Sequence, residues 1–166
     1  IQTGEIVSDA GNSMACAWGD YDDDGFADLF VANAGQPGFL YHNNADGTFA
    51  RIFTTTITSQ NIEARDCGWI DVNNDGRMDL WIVNGDRGPM LLYRNDGKST
   101  FTEILGGYVW TDATTSQPLS WSDFDNDGDH DFFLVGRTTR SCAYVNDGTG
   151  RYTRMSSGMP MLGHDV

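Results

Sequence analysis

One acidic loop occurs three times in this chain, in the pattern D-x-[DN]-x-D-G-x-x-D. The copies span residues 20–28, 71–79 and 123–131. Oxygen-bearing side chains stand at loop positions 1, 3, 5 and 9, and a sharp turn at the position-6 glycine would bring them to one centre. Hard divalent cations prefer such oxygen ligands. The pattern therefore predicts a cation site in each loop, with calcium as the cation.

The same residues open an EF-hand loop, which also needs a bidentate glutamate at position 12. Position 12 holds Val31, Ile82 and Leu134, and an apolar side chain cannot ligate a cation. The residues that follow each loop are aromatic and β-branched, as in 28–32, so they predict a strand and not the exiting helix of an EF-hand. A strand-like run with a tryptophan precedes each loop. Each loop is therefore predicted to join two strands.

The loops recur at a fixed interval, with 51 positions from Asp20 to Asp71 and 52 from Asp71 to Asp123. A constant period of this size indicates structural repeats. Each repeat continues with a third strand-like run, an Asp-Gly hairpin signal and a fourth apolar run. Four antiparallel strands in about 50 residues make one β-propeller blade. The predicted fold is all-β, with three four-stranded blades that form part of a larger or oligomeric propeller.

The repeats divide the chain into predicted segments. Residues 1–13 form a strand that belongs to a preceding blade or completes a neighbour, 14–64 form blade 1, 65–116 form blade 2, 117–158 form blade 3, and 159–166 begin a further strand. Three blades are fewer than the roughly four to eight that close a propeller. We therefore expect either the remainder of a longer propeller chain or a homo-oligomer, in which identical chains join head to tail as a ring or filament.

The combination of the acidic loop with a downstream Leu-Tyr-x-Asn and Asp-Gly-x-Phe resembles the VCBS and FG-GAP class of repeats, which is related to the N-terminal propeller of integrin α chains. The resemblance covers about residues 14–155. It implies propeller blades whose acidic loops bind calcium. The Phe-Gly and Gly-Ala-Pro signatures of the integrin type are absent at 32–35 and 83–85, which favours the VCBS side of the class.

Three calcium ions are predicted, each held by four side chains and the backbone carbonyl of position 7. The second loop is the weakest, because an asparagine replaces one acid and an arginine adds positive charge. The predicted ligands are Asp20, Asp22, Asp24, Phe26 and Asp28 in loop one, Asp71, Asn73, Asp75, Arg77 and Asp79 in loop two, and Asp123, Asp125, Asp127, Asp129 and Asp131 in loop three.

The formal net charge is −14, and three bound divalent cations would reduce it to −8. Like charges crowd each metal-free loop, so folding and metal binding should be strongly coupled. The acidity, and the absence of a basic stripe in the sequence, argue against a nucleic-acid partner. No apolar run approaches the roughly 20 residues that span a bilayer. Calcium loops of this kind suit an extracellular or cell-surface setting.

Two function classes stay open. The first is a calcium-binding module with a structural or protein- and glycan-interaction role, and the second is a domain of a polysaccharide- or phospholipid-active enzyme. The sequence has no Gly-x-Ser-x-Gly or His-Glu-x-x-His motif, and no pair of acids outside the loops suggests acid and base roles, so we predict no enzyme.

The positions of three other residue types predict their roles. The tryptophans Trp18, Trp69 and Trp121 each stand two residues before a loop, and we expect them to pack between blades. The histidines, at 42, 130 and 164, are not arranged for zinc in the sequence. Cys16 and Cys67 occupy equivalent positions and are predicted to be buried.

Overall fold

The computed structural model describes residues 4–54, 56–85, 90–104, 119–135 and 141–155. No helix among these residues has the length and apolar character needed to cross a membrane. The described elements are α1 (Glu5–Ser8), β1 (Ser13–Gly19), β2 (Asp28–Gln36), β3 (Phe39–Asn43), β4 (Phe49–Ile52), β5 (Ile62–Ile70), β6 (Asp79–Asn84), β7 (Leu91–Gly97), β8 (Thr100–Glu103), β9 (Leu119–Ser122), β10 (Asp131–Leu134), β11 (Cys142–Asn146) and β12 (Tyr152–Arg154).

The strands form three antiparallel meanders, β1–β4, β5–β8 and β9–β12, in which sequence neighbours are also sheet neighbours. A contact between β2 and β5 joins the first two meanders into one sheet. The prediction of an all-β fold made of four-stranded antiparallel propeller blades is confirmed. The pairing that closes each loop is the same in every blade, namely Gly19 with Asp28, Ile70 with Asp79, and Ser122 with Asp131.

The hydrophobic core lies between the blades, and β6 of the middle blade shows how it is built. Leu80 and Ile82 point into the cluster shared with blade 1, whereas Trp81 and Val83 point into the cluster shared with blade 3. Successive side chains of a strand face opposite sides, so a strand covered on both sides must be apolar throughout. This explains the continuous apolar run after each acidic loop, and it makes the blade interfaces the core of the molecule.

Two of the three loop-flanking tryptophans pack between blades, as predicted. The Trp69 ring stacks on Tyr21 of blade 1, with 6.1 Å between ring centroids, and its Nε1 donates a hydrogen bond of 3.2 Å to the Ala17 carbonyl. Gly19 leaves the space for this ring, because a Cβ there would lie 2.6 Å from the indole. Trp121 packs against Trp81 of blade 2, with 6.3 Å between ring centroids, but its Nε1 makes no hydrogen bond to the described residues.

Trp18, the equivalent residue of blade 1, has 57% of its surface exposed. Its strand has no preceding blade on it within the described residues, and Met14 and Cys16 on the same side of the strand are exposed too. The predictions that Trp18 packs between blades and that Cys16 is buried are therefore wrong. Cys67, which does have a blade against it, is buried as predicted.

The N-terminal segment does not form the predicted strand, because its residues 5–8 are the short helix α1 and the first strand begins only at residue 13. Ile6 packs against the outer cluster of blade 1. The Asp9 carboxylate accepts hydrogen bonds from the Tyr41 hydroxyl at 2.7 Å and from Arg51 Nη1 at 3.0 Å. These contacts fold the segment back onto its own blade. The further strand predicted at 159–166 lies outside the described residues.

An asparagine in the third strand of a blade bonds to the preceding blade. Asn95 is fully buried, and its Nδ2 donates to the Tyr21 carbonyl of blade 1 at 2.6 Å. Asn146 makes the equivalent bond to blade 2 at 2.8 Å. Asn43 stands at the same position of blade 1, and its Nδ2 donates to a carbonyl of its own blade. The asparagine of the Leu-Tyr-x-Asn motif thus links adjacent blades.

We expect Asn95→Ala to lower the free energy of unfolding by about 1 to 3 kcal/mol more than Asn43→Ala does, because it leaves the buried Tyr21 carbonyl without its donor. The two asparagines otherwise make matching bonds within their own blades. Urea denaturation of both variants measures the difference. Equal losses would show that the bond between blades contributes nothing.

Candidate metal centres

The three acidic loops fold in the same way. The residue at position 4, which is Asp23, Asn74 or Asn126, has a left-handed backbone with φ of 61°, 56° and 58°. Aspartate and asparagine tolerate this conformation better than other residues with a Cβ do. The glycine at position 6 has φ of 89°, 85° and 96°. These two turns wrap the loop around one centre, as the sequence pattern predicts.

The first aspartate of each loop holds this wrapping through backbone hydrogen bonds. Asp20 Oδ1 accepts from the Asp24 amide at 3.1 Å, and its Oδ2 accepts from the Gly25 amide at 2.8 Å. Asp71 repeats both bonds in loop two, and Asp123 repeats the glycine bond in loop three. The position-7 amide donates to the position-5 carboxylate in all three loops. The carboxylates at positions 1 and 5 are therefore oriented by the loop backbone itself.

The position-9 aspartates, Asp28, Asp79 and Asp131, are completely buried. Each accepts one backbone amide on each carboxylate oxygen, and for Asp79 the donors are Val72 at 3.1 Å and Asn95 at 2.7 Å. The same pair of bonds recurs in the other two blades. Burial raises the pKa of Asp79 to about 6. The predicted ligand at position 9 thus also ties the loop to the third strand, which the sequence did not indicate.

Loop one brings its predicted ligands together. Asp20, Asp22 and Asp28 each offer a carboxylate oxygen, and these oxygens lie within 4.8 Å of one another. Desolvation raises the pKa of Asp22, the neighbouring His42 opposes this shift, and the charges of Asp24 and Asp20 add to it. A divalent cation at the centre would compensate this crowding of negative charge. The Phe26 side chain, which is 45% exposed, has no ligand atom, so the predicted ligand at this position is the backbone carbonyl.

Loop three gives the strongest indication of a cation. Asp123, Asp125 and Asp127 converge in the same way, within 4.8 Å. One oxygen of Asp123 and one of Asp125, both Oδ1, are buried without a hydrogen-bond donor. Buried acceptors are nearly always satisfied in proteins, so these two oxygens fit a bound cation. The Asp129 side chain instead accepts from Asn74 of loop two, which shows that loops two and three lie side by side.

Loop two differs from the other two loops. The Arg77 guanidinium bonds to Asp75 Oδ2, which also accepts from the Asn73 amide at 3.1 Å. Arg77 Nε donates to the Asn95 carbonyl at 2.8 Å, which fixes the guanidinium in this place. The arginine therefore occupies an oxygen that a cation would use. The acids of loop two do not form a converging group of three like those of loops one and three among the described residues.

His42 of β3 lies against the carboxylates of loop one, a position that the sequence did not indicate. Its Nδ1 is 3.1 Å from Asp22 Oδ2 and 3.3 Å from Asp28 Oδ1, and its Nε2 is 3.9 Å from Asp24 Oδ2. One signal in the sequence could have indicated this contact. His42 directly precedes Asn43, whose backbone amide donates to the position-9 aspartate of loop one, Asp28. The sequence places this histidine apart from the loop-one acids, whereas the fold brings it beside three of their carboxylates.

Two overlapping segments, 20–82 and 71–134, match the FG-GAP-like repeat. Each match begins at the first aspartate of an acidic loop, and together they contain all three loops. The chain belongs to the FG-GAP-like repeat family. This FG-GAP-like chain is 29% identical to cartilage acidic protein 1 of Homo sapiens over 119 residues, and 30% identical to that of Xenopus tropicalis over 112 residues. These matches cover 69% and 65% of the chain but only 18% and 17% of the relatives.

A solved lectin structure from Agrocybe aegerita, described as recognising non-reducing terminal N-acetylglucosamine, has a similar fold. The TM-score is 0.57 at 19% sequence identity, and the likeness covers 82% of this FG-GAP-like chain and 36% of the lectin chain. At this identity the likeness concerns the fold alone. The lectin chain that shares this fold is longer than the present chain.

Proposed function

We propose that this FG-GAP-like chain is a non-catalytic, calcium-stabilised β-propeller module that binds protein or glycan partners. The observation that carries the calcium proposal is the pair of buried oxygens in loop three, on Asp123 and Asp125, which have no hydrogen-bond donor. Calcium binds carboxylate and carbonyl oxygens at about 2.3 to 2.6 Å and accepts a flexible arrangement of six to eight ligands. An all-oxygen loop with converging carboxylates matches these preferences.

The three proposed calcium ions do not bind equally. Loops one and three each bring three carboxylates together, and among the described residues no arginine forms an ion pair with these acids. Loop two binds last, because Arg77 must first release Asp75. The position-7 carbonyls of Phe26, Arg77 and Asp129 complete the proposed ligand sets, and water takes any remaining position.

The interaction role rests on the family and on the relatives. The FG-GAP-like repeats and the similarity to cartilage acidic protein 1 favour a non-enzymatic module. The fold shared with a lectin supports a glycan as one class of ligand, with a protein surface as the other. Calcium loops of this kind suit extracellular calcium concentrations, so we place the protein outside the cell or at its surface.

We further propose that a second copy of the chain is a partner. The first-blade face consists of Met14, Cys16 and Trp18, and the third-blade face consists of Phe133 and Val135. Phe133 and Val135 are each 40% exposed, whereas their equivalents in blades 1 and 2 are at most 8% exposed. Those equivalents are covered by the next blade of the same chain. The two faces are therefore the two halves of an interface that occurs twice within the chain.

Two copies joined through both pairs of faces would make six blades, within the range of about four to eight that closes a propeller. Helix α1 covers the outer part of blade 1, where Ile6 packs against Leu29, Phe39 and Tyr41. The second copy would therefore contact the part of blade 1 that β1 forms. Closure buries both faces and removes the exposed apolar surface that an open array would leave.

Calcium titration of the chelator-treated protein tests the calcium proposal, with Asp127→Asn as the ligand variant. We expect this variant to lose loop-three binding by at least about tenfold, because it removes the charge of a proposed calcium ligand. The wild-type protein should gain stability with calcium, by about 2.7 kcal/mol at a concentration 100 times the dissociation constant. Isothermal titration and thermal unfolding measure the two effects.

Asp129→Asn is the matched control. It removes the same charge from the same loop, but the proposed ligand at this position is the backbone carbonyl and not the side chain. If both variants lose the same calcium affinity, the loss reflects the overall charge of the loop and not the removal of Asp127 as a ligand. A melting temperature that does not respond to calcium or to chelator would exclude the stabilising role of the metal.

A further inference from the structure

The imidazole of His42 lies as close to two carboxylates of loop one as two ligands of one metal ion lie to each other. Its Nδ1 lies 3.1 Å from Asp22 Oδ2 and 3.3 Å from Asp28 Oδ1. Zinc binds nitrogen and oxygen at about 2.0 to 2.2 Å, so two adjacent ligands on one ion are about 2.8 to 3.6 Å apart, from octahedral to tetrahedral geometry. Both distances from His42 Nδ1 therefore match the separation of neighbouring ligands on a single ion.

The His42 Nδ1 atom is also buried and makes no hydrogen bond of acceptable geometry. The two Asp28 oxygens already accept backbone amides, from Asn43 at 2.8 Å and from Tyr21 at 3.2 Å. A neutral imidazole lone pair directed at carboxylate oxygens would be repelled by them. A cation between these atoms would satisfy all of them at once, and a proton on the imidazole is the competing arrangement.

The other two blades have no nitrogen donor at this position. The equivalent of His42 is Arg94 in blade 2 and Val145 in blade 3. Arg94 donates from Nε to Asp96 of the following turn at 2.7 Å, and valine has no donor atom. Loop one is thus the loop with a mixed nitrogen and oxygen set among the three. Calcium takes oxygen ligands, whereas imidazole suits zinc, copper, iron and nickel.

We propose that loop one is a site for a transition-metal dication of the zinc type, with His42 Nδ1, Asp22 and Asp28 as ligands and Asp24 beside them. This inference rests on the proposed function in one respect, namely that loop one is a cation site. It changes the class of cation at that loop and leaves loop three as a calcium site. The chain would then hold two kinds of metal in repeats of the same sequence pattern.

The test is a titration of the chelator-treated chain with Zn²⁺ while calcium is present in excess, followed by isothermal calorimetry. We expect one Zn²⁺ to bind per chain. His42→Gln should weaken this binding at least about tenfold, because metal affinity depends strongly on a positioned imidazole. His130→Gln is the matched control, since it removes an exposed imidazole from loop three, and it should leave Zn²⁺ affinity unchanged.

Three results would overturn the inference. These are the absence of Zn²⁺ binding by the wild-type chain, equal affinity of the wild-type and His42→Gln chains, and full affinity in His42→Arg, which keeps only a counter-ion. If His42→Gln fails to fold, the imidazole nitrogen resonances of the wild-type chain give the answer. They should shift for His42 when Zn²⁺ is added, and unchanged resonances would refute the assignment. Calcium binding at loop three, probed with Asp127→Asn, tests the proposed function independently.

Discussion

Replacing Asp79 with asparagine is expected to lower the free energy of unfolding by about 2 kcal/mol even when chelator has removed every cation. Both oxygens of this fully buried carboxylate accept backbone amides, one from Val72 and one from Asn95. An asparagine amide offers one acceptor and turns its NH₂ group toward the other buried N–H. That N–H then loses its partner inside the protein.

The size of this effect is the balance of two terms. Losing a hydrogen bond to a charged group costs about 1.5 to 3 kcal/mol, a figure that includes leaving the buried donor without a partner. Asparagine also removes a buried negative charge, and the desolvation that raises the pKa of Asp79 to about 6 shows that this charge is itself unfavourable there. The relief offsets part of the loss, so we expect a loss of about 2 kcal/mol, in the lower half of that range.

Asp75→Asn is the control for Asp79→Asn. It lies in the same loop and removes the same charge, but asparagine keeps the Oδ1 that accepts from the Arg77 amide. We expect a loss below about 0.5 kcal/mol without metal, as for a partly exposed ion pair. Urea denaturation at pH 7 with chelator compares the two variants. If both lose the same stability, the position-9 carboxylate has no structural role beyond its charge.

The sequence predicted the blade plan because its signals are local and repeated. The acidic loop, the tryptophan two residues before it and the Asp-Gly turn each specify a short stretch of backbone, and the constant period places them in register. The pairing of Gly19 with Asp28 and of Ile70 with Asp79 follows from that register. The convergence of the loop carboxylates could be predicted for the same reason, since position 1 is held by amides within its own loop.

What the sequence did not predict depends on contacts between distant segments. Trp18 and Trp69 occupy the same place in the repeat, and only the presence of a neighbouring blade leaves Trp18 exposed and Trp69 partly buried. The helix α1 depends on contacts with blade 1. His42 reaches loop one from another strand, and Arg77 takes an oxygen of Asp75 that the pattern reserves for metal. Equivalent positions in a repeat share a backbone but not an environment.

We expect the chain to be a dimer in the presence of calcium, with twice the mass of one chain by light scattering after size exclusion. Trp18→Glu and Phe133→Glu should each convert it to a monomer, because each places a charge in an apolar interface and burial of an unpaired charge costs several kcal/mol. Phe53→Glu is the control, since Phe53 is 74% exposed and belongs to neither face. It should remain dimeric.

Mixing the two monomeric variants separates a head-to-tail dimer from other assemblies. The Trp18→Glu chain keeps an intact third-blade face, and the Phe133→Glu chain keeps an intact first-blade face. A mixed dimer therefore has one undamaged interface and one that carries both charges, whereas each homodimer has two damaged interfaces. We expect dimers to reappear on mixing. A wild-type monomer would instead mean that any blade covering these faces comes from elsewhere in a longer chain, and dimers that survive both substitutions would place the contact on another surface.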